Sequence, residues 1–326
     1  MLRHGDRCRL GYLVPLFVLL SCGVSGPGDS KKAADQRGAK GAGASTASSP
    51  SPSGVIWEGV SQGLRIRWTA EDVTAAKAGA GEGAIFSLAA EIRSSFDREV
   101  AERGADDTRT AAEARVRGEA AASPGPCTRE SRVSVLSIVG SIISYRESFT
   151  TSCAREAHPS GETRLVSVDL AGLGAVGASS ARARRVRLAD YFPEEAILAA
   201  LRKDPLVHLA LQSSGDSPKT LAGLLDALSS SAPVMDEKRC YAFPDDLLSR
   251  FAFHHLEKGA VAMRLGLPGA GPCRENLTQI GVLLPVPKSL GPMLASAAEA
   301  REGFLMTDAE RIAGGRQMSV SFRSAR

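Results

Sequence analysis

The middle of the chain shows the clearest pattern of apolar and polar positions. Two arms, 132–139 and 141–149, are rich in β-branched and aromatic residues and flank Gly140. This composition predicts that each arm is a β-strand. Gly140 accepts the positive φ that a tight turn requires, which favours a hairpin. The alternative is one long strand with a β-bulge at Gly140.

Two cysteines flank this predicted hairpin symmetrically. Cys127 and Cys153 are equidistant from Gly140, so a turn at that glycine would bring them together at the open end of the hairpin. A disulfide is geometrically possible at that place. The cysteine spacing and the strand pattern therefore support the same local structure.

Apolar periodicity predicts two short strands and a helix before the hairpin. Residues 55–57 and 64–68 are strand-like, and the second segment alternates apolar and basic residues. Residues 82–103 have apolar residues at spacings of three and four, which predicts an amphipathic helix. Residues 106–122 are predicted to continue as an exposed helix that ends at the prolines and glycine of 123–126. The apolar face consists of Ile85, Leu88, Ile92, Phe96 and Val100.

The segment after the hairpin mixes strand and helix patterns. Residues 163–170 are predicted to form a strand. Pro193 is predicted to open a helix, because proline is tolerated at the first helical position and the following carboxylates complement the helix dipole. Residues 217–228 contain leucines at helical spacing and predict another helix.

The last third of the chain is predicted to return to strands. Residues 249–254 and 261–267 form a plausible second hairpin, and 279–284 a further strand. Residues 287–301 are predicted to be helical, and the tail from Gly314 to be frayed. The whole pattern predicts an α+β fold with mixed or antiparallel sheets, packed helices and two intimately packed halves, about 55–192 and 193–302, followed by a C-terminal tail, 303–326.

The amino terminus has the three parts of a secretory signal. Basic residues precede a short apolar run that is well below the ~20 residues needed to span a bilayer. Leu19-Leu20-Ser21-Cys22 resembles the bacterial lipobox, which implies cleavage after residue 21 and acylation of Cys22. Several acyl chains give a stable anchor where one is marginal. An ordinary secreted protein with an incidental cysteine is the alternative.

Residues 22–54 are predicted to follow this signal as an acylated cysteine and a flexible tether. The segment is almost wholly Gly, Ser, Ala, Pro and Lys, and such a composition cannot bury enough surface to offset the entropy of ordering. The predicted location is the bacterial cell envelope. The residue after Cys22 is not an aspartate, which favours the outer membrane.

Four cysteines remain for disulfides once Cys8 is removed and Cys22 is acylated. An oxidising envelope makes disulfides the expected state, and four cysteines allow three pairings. The favoured pairing joins Cys127 to Cys153. Cys240 lies just before the second hairpin and Cys273 just after it, so these two form the favoured second disulfide.

Charge and residue spacing give little support to other function classes. The formal net charge is +4, and the signal contributes three Arg and one Asp, so the mature charge is +4 − 2 = +2. Near-neutrality without a basic stripe argues against nucleic-acid binding. No metal or cofactor is predicted, because His254 and His255 are neighbours on a predicted strand and should point to opposite faces. No catalytic residue is assigned: no Gly-x-Ser-x-Gly elbow accompanies the loop residue His158, and Asp245-Asp246 is typical of a turn.

Several short motifs match one family pattern. They are the strand Val135–Tyr145, the turn Ala157-His158-Pro159, the strand end Asp169-Leu170, and Leu188, Asp190 and Phe192 before a helix. Together these motifs resemble the extracytoplasmic domain family of the anti-sigma factor RsiV, over roughly residues 60–300. The chain departs from the family at Arg155 and Glu156, where glycines are usual.

The resemblance implies a non-enzymatic α+β module of the bacterial envelope. In RsiV this module binds lysozyme, and in relatives it accompanies cell-wall deacetylases. The expected function is therefore binding or sensing of a lysozyme-like protein or a peptidoglycan component by a lipid-anchored protein. The alternatives are an envelope hydrolase that uses His158, and a purely structural envelope lipoprotein.

Overall fold

The computed structural model describes residues 54–79, 83–116, 125–154, 158–173, 183–214, 217–235 and 240–324. Cys22 and the predicted tether lie outside these ranges. None of the helices within them has the length and apolar content to cross a membrane. The strands are β1 (Val55–Ser61), β2 (Leu64–Thr69), β3 (Val73–Lys77), β4 (Phe86–Ser87), β5 (Cys127–Val139), β6 (Ile142–Cys153), β7 (Ser160–Asp169), β8 (Arg184–Arg185), β9 (Val234–Met235), β10 (Cys240–Tyr241), β11 (Phe251–Glu257), β12 (Ala260–Pro268), β13 (Leu277–Pro285) and β14 (Met318–Arg323). The helices are α1 (Leu88–Val116), α2 (Glu194–Leu201), α3 (Pro205–Ser214), α4 (Leu221–Ser229), α5 (Gly291–Ala298) and α6 (Met306–Ala313).

A five-stranded antiparallel sheet forms the centre of the fold, with the strand order β14-β5-β6-β7-β8. A second sheet has the order β1-β2-β3-β4, and a third the order β11-β12-β13. The α+β prediction is therefore confirmed. The long strands β5, β6 and β7 form because their β-branched residues alternate between the two faces of this central sheet.

The predicted hairpin is confirmed. Strands β5 and β6 pair from Val139 opposite Ile142 to Cys127 opposite Cys153, and Gly140 turns the chain with φ +61°. The only shift in their register lies at Leu136, between Val135 and Ser137, so the bulge is within the first arm and not at Gly140. Both favoured disulfides are present, Cys127 with Cys153 and Cys240 with Cys273.

Gly140 gives the first testable prediction. Alanine at this position is expected to destabilise the protein by about 1–2 kcal/mol, because a left-handed backbone is costly for residues with a Cβ. The new Cβ would also overlap Met293 Sδ. Chemical denaturation measures the change. Gly172→Ala is the matched control, since no atom of the described residues lies within 4 Å of its Cβ position and its φ is outside the positive range. Equal stability of the two variants would contradict the prediction.

One face of the central sheet packs on α1 and the four-stranded sheet. Val133, Val135, Ile143 and Tyr145 point to this side and share an apolar cluster with the buried residues of β2, β3 and α1. The buried part of α1 is shorter than its length suggests, since Leu88, Ile92 and Phe96 are buried whereas Val100 is only partly buried.

The opposite face meets the third sheet through serines. Ser167 Oγ donates a hydrogen bond to Phe251 O over 2.5 Å, and Phe253 N donates to Ser137 Oγ over 3.3 Å. These serines satisfy backbone groups at the edge of β11, which would otherwise be buried without partners. The other side of the third sheet carries a larger apolar cluster with α2 to α5. The third sheet thus covers the end of the central sheet near Gly140.

The carboxyl-terminal segment differs from the sequence-based prediction. The residues from Gly314 were expected to be frayed, but β14 forms the edge of the central sheet, with Met318 opposite Val133 and Arg323 opposite Thr128. Phe304 and Met318 are fully buried. The prediction was wrong because the alternating pattern of 318–323 is short, and only its pairing with β5 makes it a strand.

Candidate functional site

A group of charged residues is buried at the end of the central sheet that carries the Cys127–Cys153 disulfide. Alternation along the strands brings Arg129 of β5, Glu147 of β6 and Arg164 of β7 to the face covered by α1. The side chains of Arg129 and Glu147 are each 1% exposed, and Arg164 is 11% exposed. Glu99 of α1, the helix that covers this face, contacts Arg129 and Arg164. We call these four residues the charge network.

The charge network is closely paired. Arg129 Nη2 lies 2.5 Å from Glu99 Oε2, and Arg164 Nη1 lies 3.4 Å from Glu99 Oε1. Arg164 also donates to Glu147 Oε2 from Nε over 3.0 Å and from Nη2 over 2.9 Å. Ser131 Oγ donates to the other Glu147 oxygen over 3.0 Å. Two positive and two negative charges therefore balance in a site from which most water is excluded.

Aromatic rings hold the two guanidinium groups from the sides. Arg129 lies 4.0 Å from the centre of the Phe149 ring and 4.9 Å from that of Phe96, and Arg164 lies 4.8 Å from Phe149. Arg129 Nε also donates to Thr151 Oγ1 over 3.0 Å. Arg129 Nη1 is buried and has no hydrogen-bond partner among the described residues. Stacking on two aromatic rings stabilises the guanidinium and compensates for the missing hydrogen bond of Nη1.

The charge network shifts the pKa values of Glu99 and Arg164. Burial opposes the ionisation of Glu99, but the hydrogen bond from Arg129 and the charges of Arg164 and Arg129 lower the pKa of Glu99 below its ordinary value. Burial opposes the charge of Arg164 as well, but Glu147 and Glu99 raise the pKa of its guanidinium. Burial and the charge of Glu147 raise the pKa of Tyr145. At neutral pH Glu99 and Arg164 are therefore charged, and Tyr145 is a neutral hydroxyl.

A cleft gives solvent access to this network beside α1. It has a volume of about 410 Å³ and contains Glu99 in its wall. Arg185 of β8 lies across this cleft from α1 and donates a hydrogen bond to Ser95 Oγ over 3.4 Å. The side chain of Glu99 is 29% exposed. The other residues of the wall are Glu91, Ser95, Arg98, Glu102 and Ala183.

A second cleft lies on the opposite face of the same sheet end, where the third sheet no longer covers it. We call it the open polar cleft; its volume is about 310 Å³. Thr163 Oγ1 lines it and donates a hydrogen bond to Glu275 O over 2.8 Å, and it lies within hydrogen-bond distance, 3.0 Å, of Ser148 Oγ. Three carboxylates and one guanidinium line it, so its charge is negative. The lining residues are Glu130, Arg132, Ser148, Phe149, Thr150, Glu162, Thr163 and Glu275.

Four of the family-motif positions come together at the far end of β7. Asp169 accepts hydrogen bonds from Ser141 Oγ over 2.6 Å and from Tyr191 Oη over 3.2 Å. Asp190 accepts from Arg184 Nη1 over 3.1 Å. Leu188 and Phe192 are buried beside them. These residues connect the end of β7 to the start of α2, which is a structural role.

The other predicted positions are separate from this group. His158 and Pro159 are exposed before the first residue of β7, whereas Asp169 is its last residue, so about 30 Å of strand separates them. Ala157 lies outside the described residues. Asp245 and Asp246 form a turn before the short 3-10 helix Leu247–Ser249, as expected for adjacent aspartates.

The prediction for the adjacent histidines was wrong. A β-bulge in β11 between Phe253 and His255 puts both rings on one side, with 2.7 Å between the two Nδ1 atoms. An extra residue in a bulge removes the strict alternation that the prediction assumed. In the part of the chain that the structure describes, no three metal-ligating side chains gather in one place.

This histidine pair predicts a pH-dependent stability. Burial, Arg264 and His255 lower the pKa of His254 from 6.5, so the unfolded chain binds a proton on this residue before the folded chain does. Stability is therefore full above about pH 6.5 and falls as the pH drops below it. Urea denaturation between pH 5 and 8 should show that the free energy of unfolding changes less steeply with pH in His254→Gln than in the native chain. The exposed His158→Gln variant should keep the native slope; an unchanged slope in His254→Gln would exclude this histidine as the cause.

Sequence reasoning did not identify the charge network. Arg129 and Arg164 were parts of predicted strands, and Glu99 was part of a predicted helix. The available signal was that Glu99 follows the apolar Phe96 by three residues, which places it on the same helix face. No protein-family model matches the chain, and no curated protein matches it either.

Proposed function

We propose that this protein is a lipid-anchored module of the bacterial envelope that binds a cationic protein of the lysozyme type through the open polar cleft. Acylation of Cys22 and a tether to residue 54 would hold the folded part near the outer membrane. The binding activity is non-enzymatic in this proposal.

The observation that carries the proposal is the negative charge of the open polar cleft. Glu130 and Glu275 have no ion-pair partner among the described residues, whereas Glu162 is paired with Arg250 Nη1 at 2.9 Å. Such a surface attracts a basic partner and accepts hydrogen bonds from its lysine and arginine side chains. The resemblance to the RsiV family supports a lysozyme as the first partner to test.

The rigidity of the cleft gives further support. All of its lining residues except Glu275, which lies in the turn before β13, belong to the paired strands β5, β6 and β7, and the disulfide Cys127–Cys153 joins β5 to β6. A site on paired strands keeps its geometry better than a site on loops, so less entropy is lost on binding. The two disulfides fit an oxidising compartment such as the envelope.

The test is a calorimetric titration of the oxidised full-length chain with lysozyme at two salt concentrations. We expect saturable binding that weakens at the higher salt without disappearing. Glu130→Lys and Glu275→Lys should each weaken it about tenfold, because each places a positive charge opposite a basic partner. The exposed Glu302→Lys changes the net charge equally outside the cleft and should have little effect.

Two outcomes would overturn the proposal. If lysozyme does not bind, or if Glu302→Lys weakens binding as much as Glu130→Lys, the cleft is not a site for this class of partner. Soluble peptidoglycan fragments, titrated in the same way, are then the next ligand to test. Saturable binding of these fragments would reassign the module to the cell wall itself.

A further inference from the structure

The carboxylate of Glu99 occupies a site that the rest of the protein has built without it. Thr151 and the rings of Phe96 and Phe149 hold Arg129. Arg164 is held by two hydrogen bonds to Glu147. Each guanidinium therefore has contacts that do not involve Glu99. We call Arg129 and Arg164 together the arginine clamp.

The arginine clamp has more hydrogen-bond donors than its partners use. Arg129 Nη1 is buried and unpartnered among the described residues, although the side chain is only 1% exposed. Without Glu99, two guanidinium charges would face the single carboxylate of Glu147. A buried site with surplus donors and surplus positive charge favours binding of a carboxylate, which accepts hydrogen bonds from planar guanidinium groups.

The arginine clamp lies behind Glu99, and Glu99 borders a cleft beside α1. Glu99 is in the wall of the 410 Å³ cleft beside α1, a volume typical of sites for small molecules. The lining of this cleft carries both signs of charge: Arg98 and Arg185 are positive, and Glu91 and Glu102 are negative. Both a carboxylate and an ammonium group of one ligand would therefore find partners.

We propose that the arginine clamp is a binding site for the carboxylate of an amino acid or short peptide, and that Glu99 occupies it as an internal competitor. A ligand entering through the cleft displaces the Glu99 carboxylate from Arg129 and Arg164. This site is on the opposite face of the sheet from the open polar cleft, so the inference does not depend on the partner proposed there.

Removal of the competitor gives the first test. Glu99→Ala in the oxidised full-length chain should lower Tm by about 5 °C, since it leaves two buried guanidinium groups with one carboxylate. Sodium acetate should restore Tm saturably, whereas sodium chloride at equal ionic strength should not. Asp97→Ala removes an exposed carboxylate from the same helix. Its Tm should stay close to that of the native chain and should not rise with acetate.

A second variant tests the competition directly and does not depend on the folding of Glu99→Ala. Glu99→Gln keeps the shape of the side chain and removes its charge. Calorimetric titration with glycylglycine should show at least tenfold tighter binding to Glu99→Gln than to the native chain. Equal affinity in the two proteins, or no detectable binding to folded Glu99→Gln, would overturn the proposal. A rise in Tm with acetate that is the same in Asp97→Ala and Glu99→Ala would overturn it as well.

Discussion

Replacing Glu147 with alanine is expected to lower the free energy of unfolding by about 3–5 kcal/mol. This carboxylate is 1% exposed and accepts hydrogen bonds from Arg164 and Ser131. Its removal leaves the buried Arg164 with one ion pair among the described residues, the longer contact to Glu99 at 3.4 Å. An uncompensated buried charge of this kind is among the most costly changes that a single substitution can cause. Urea denaturation of the oxidised chain measures the loss.

Glu130→Ala provides the matched control for this experiment. It removes a carboxylate from the same sheet, but Glu130 is exposed, so the change should stay within about 0.5 kcal/mol. Replacing Glu147 and Arg164 together with leucine should recover much of the loss, because two apolar side chains leave no unpaired charge. If Glu147→Ala costs no more than Glu130→Ala, water solvates the network and the site is not closed.

The sequence predicts the paired strands and disulfides because these depend on local pattern. The positions of Cys127 and Cys153 relative to Gly140 imply a register, and the structure has it from Cys127 to Val135; beyond that the bulge at Leu136 shifts the pairing by one residue. The burial of Arg129 is different in kind. Its neighbours in sequence, Thr128 and Glu130, are both exposed, so the segment has the composition of a solvated strand end. Only the packing of α1 over that face turns its polar positions into an interior.

The other differences between the sequence-based predictions and the structure also arise from tertiary contacts. Helix α3 and strand β14 carry short patterns that become regular structure only where the core covers them; Val207 and Met318 are fully buried. The histidine pair depends on one extra residue in β11, which no pattern of alternation indicates. Function is the hardest level to predict, because the charge network joins residues from α1, β5, β6 and β7 that are far apart in the chain.

Removing the Cys127–Cys153 disulfide is expected to destabilise the protein by roughly 3–4 kcal/mol. The cysteines are separated by 26 positions, and a loop of this length restricts the unfolded chain by about that amount. The double variant Cys127→Ala/Cys153→Ala avoids an unpaired thiol. Chemical denaturation under oxidising conditions, with the other disulfide intact, measures the difference.

The second disulfide is an internal control that separates two causes. Cys240 and Cys273 are 33 positions apart, so the loop-entropy contribution should exceed that of Cys127–Cys153 by only about 0.2 kcal/mol. The Cys127–Cys153 disulfide, however, also joins the strand ends that carry Arg129 and Glu147. If its removal costs clearly more than removal of Cys240–Cys273, the excess reflects weakened pairing in the charge network. That excess should disappear in the Glu147→Leu/Arg164→Leu background, because the network is no longer there to be weakened. Its persistence in that background would place the cause elsewhere in the hairpin.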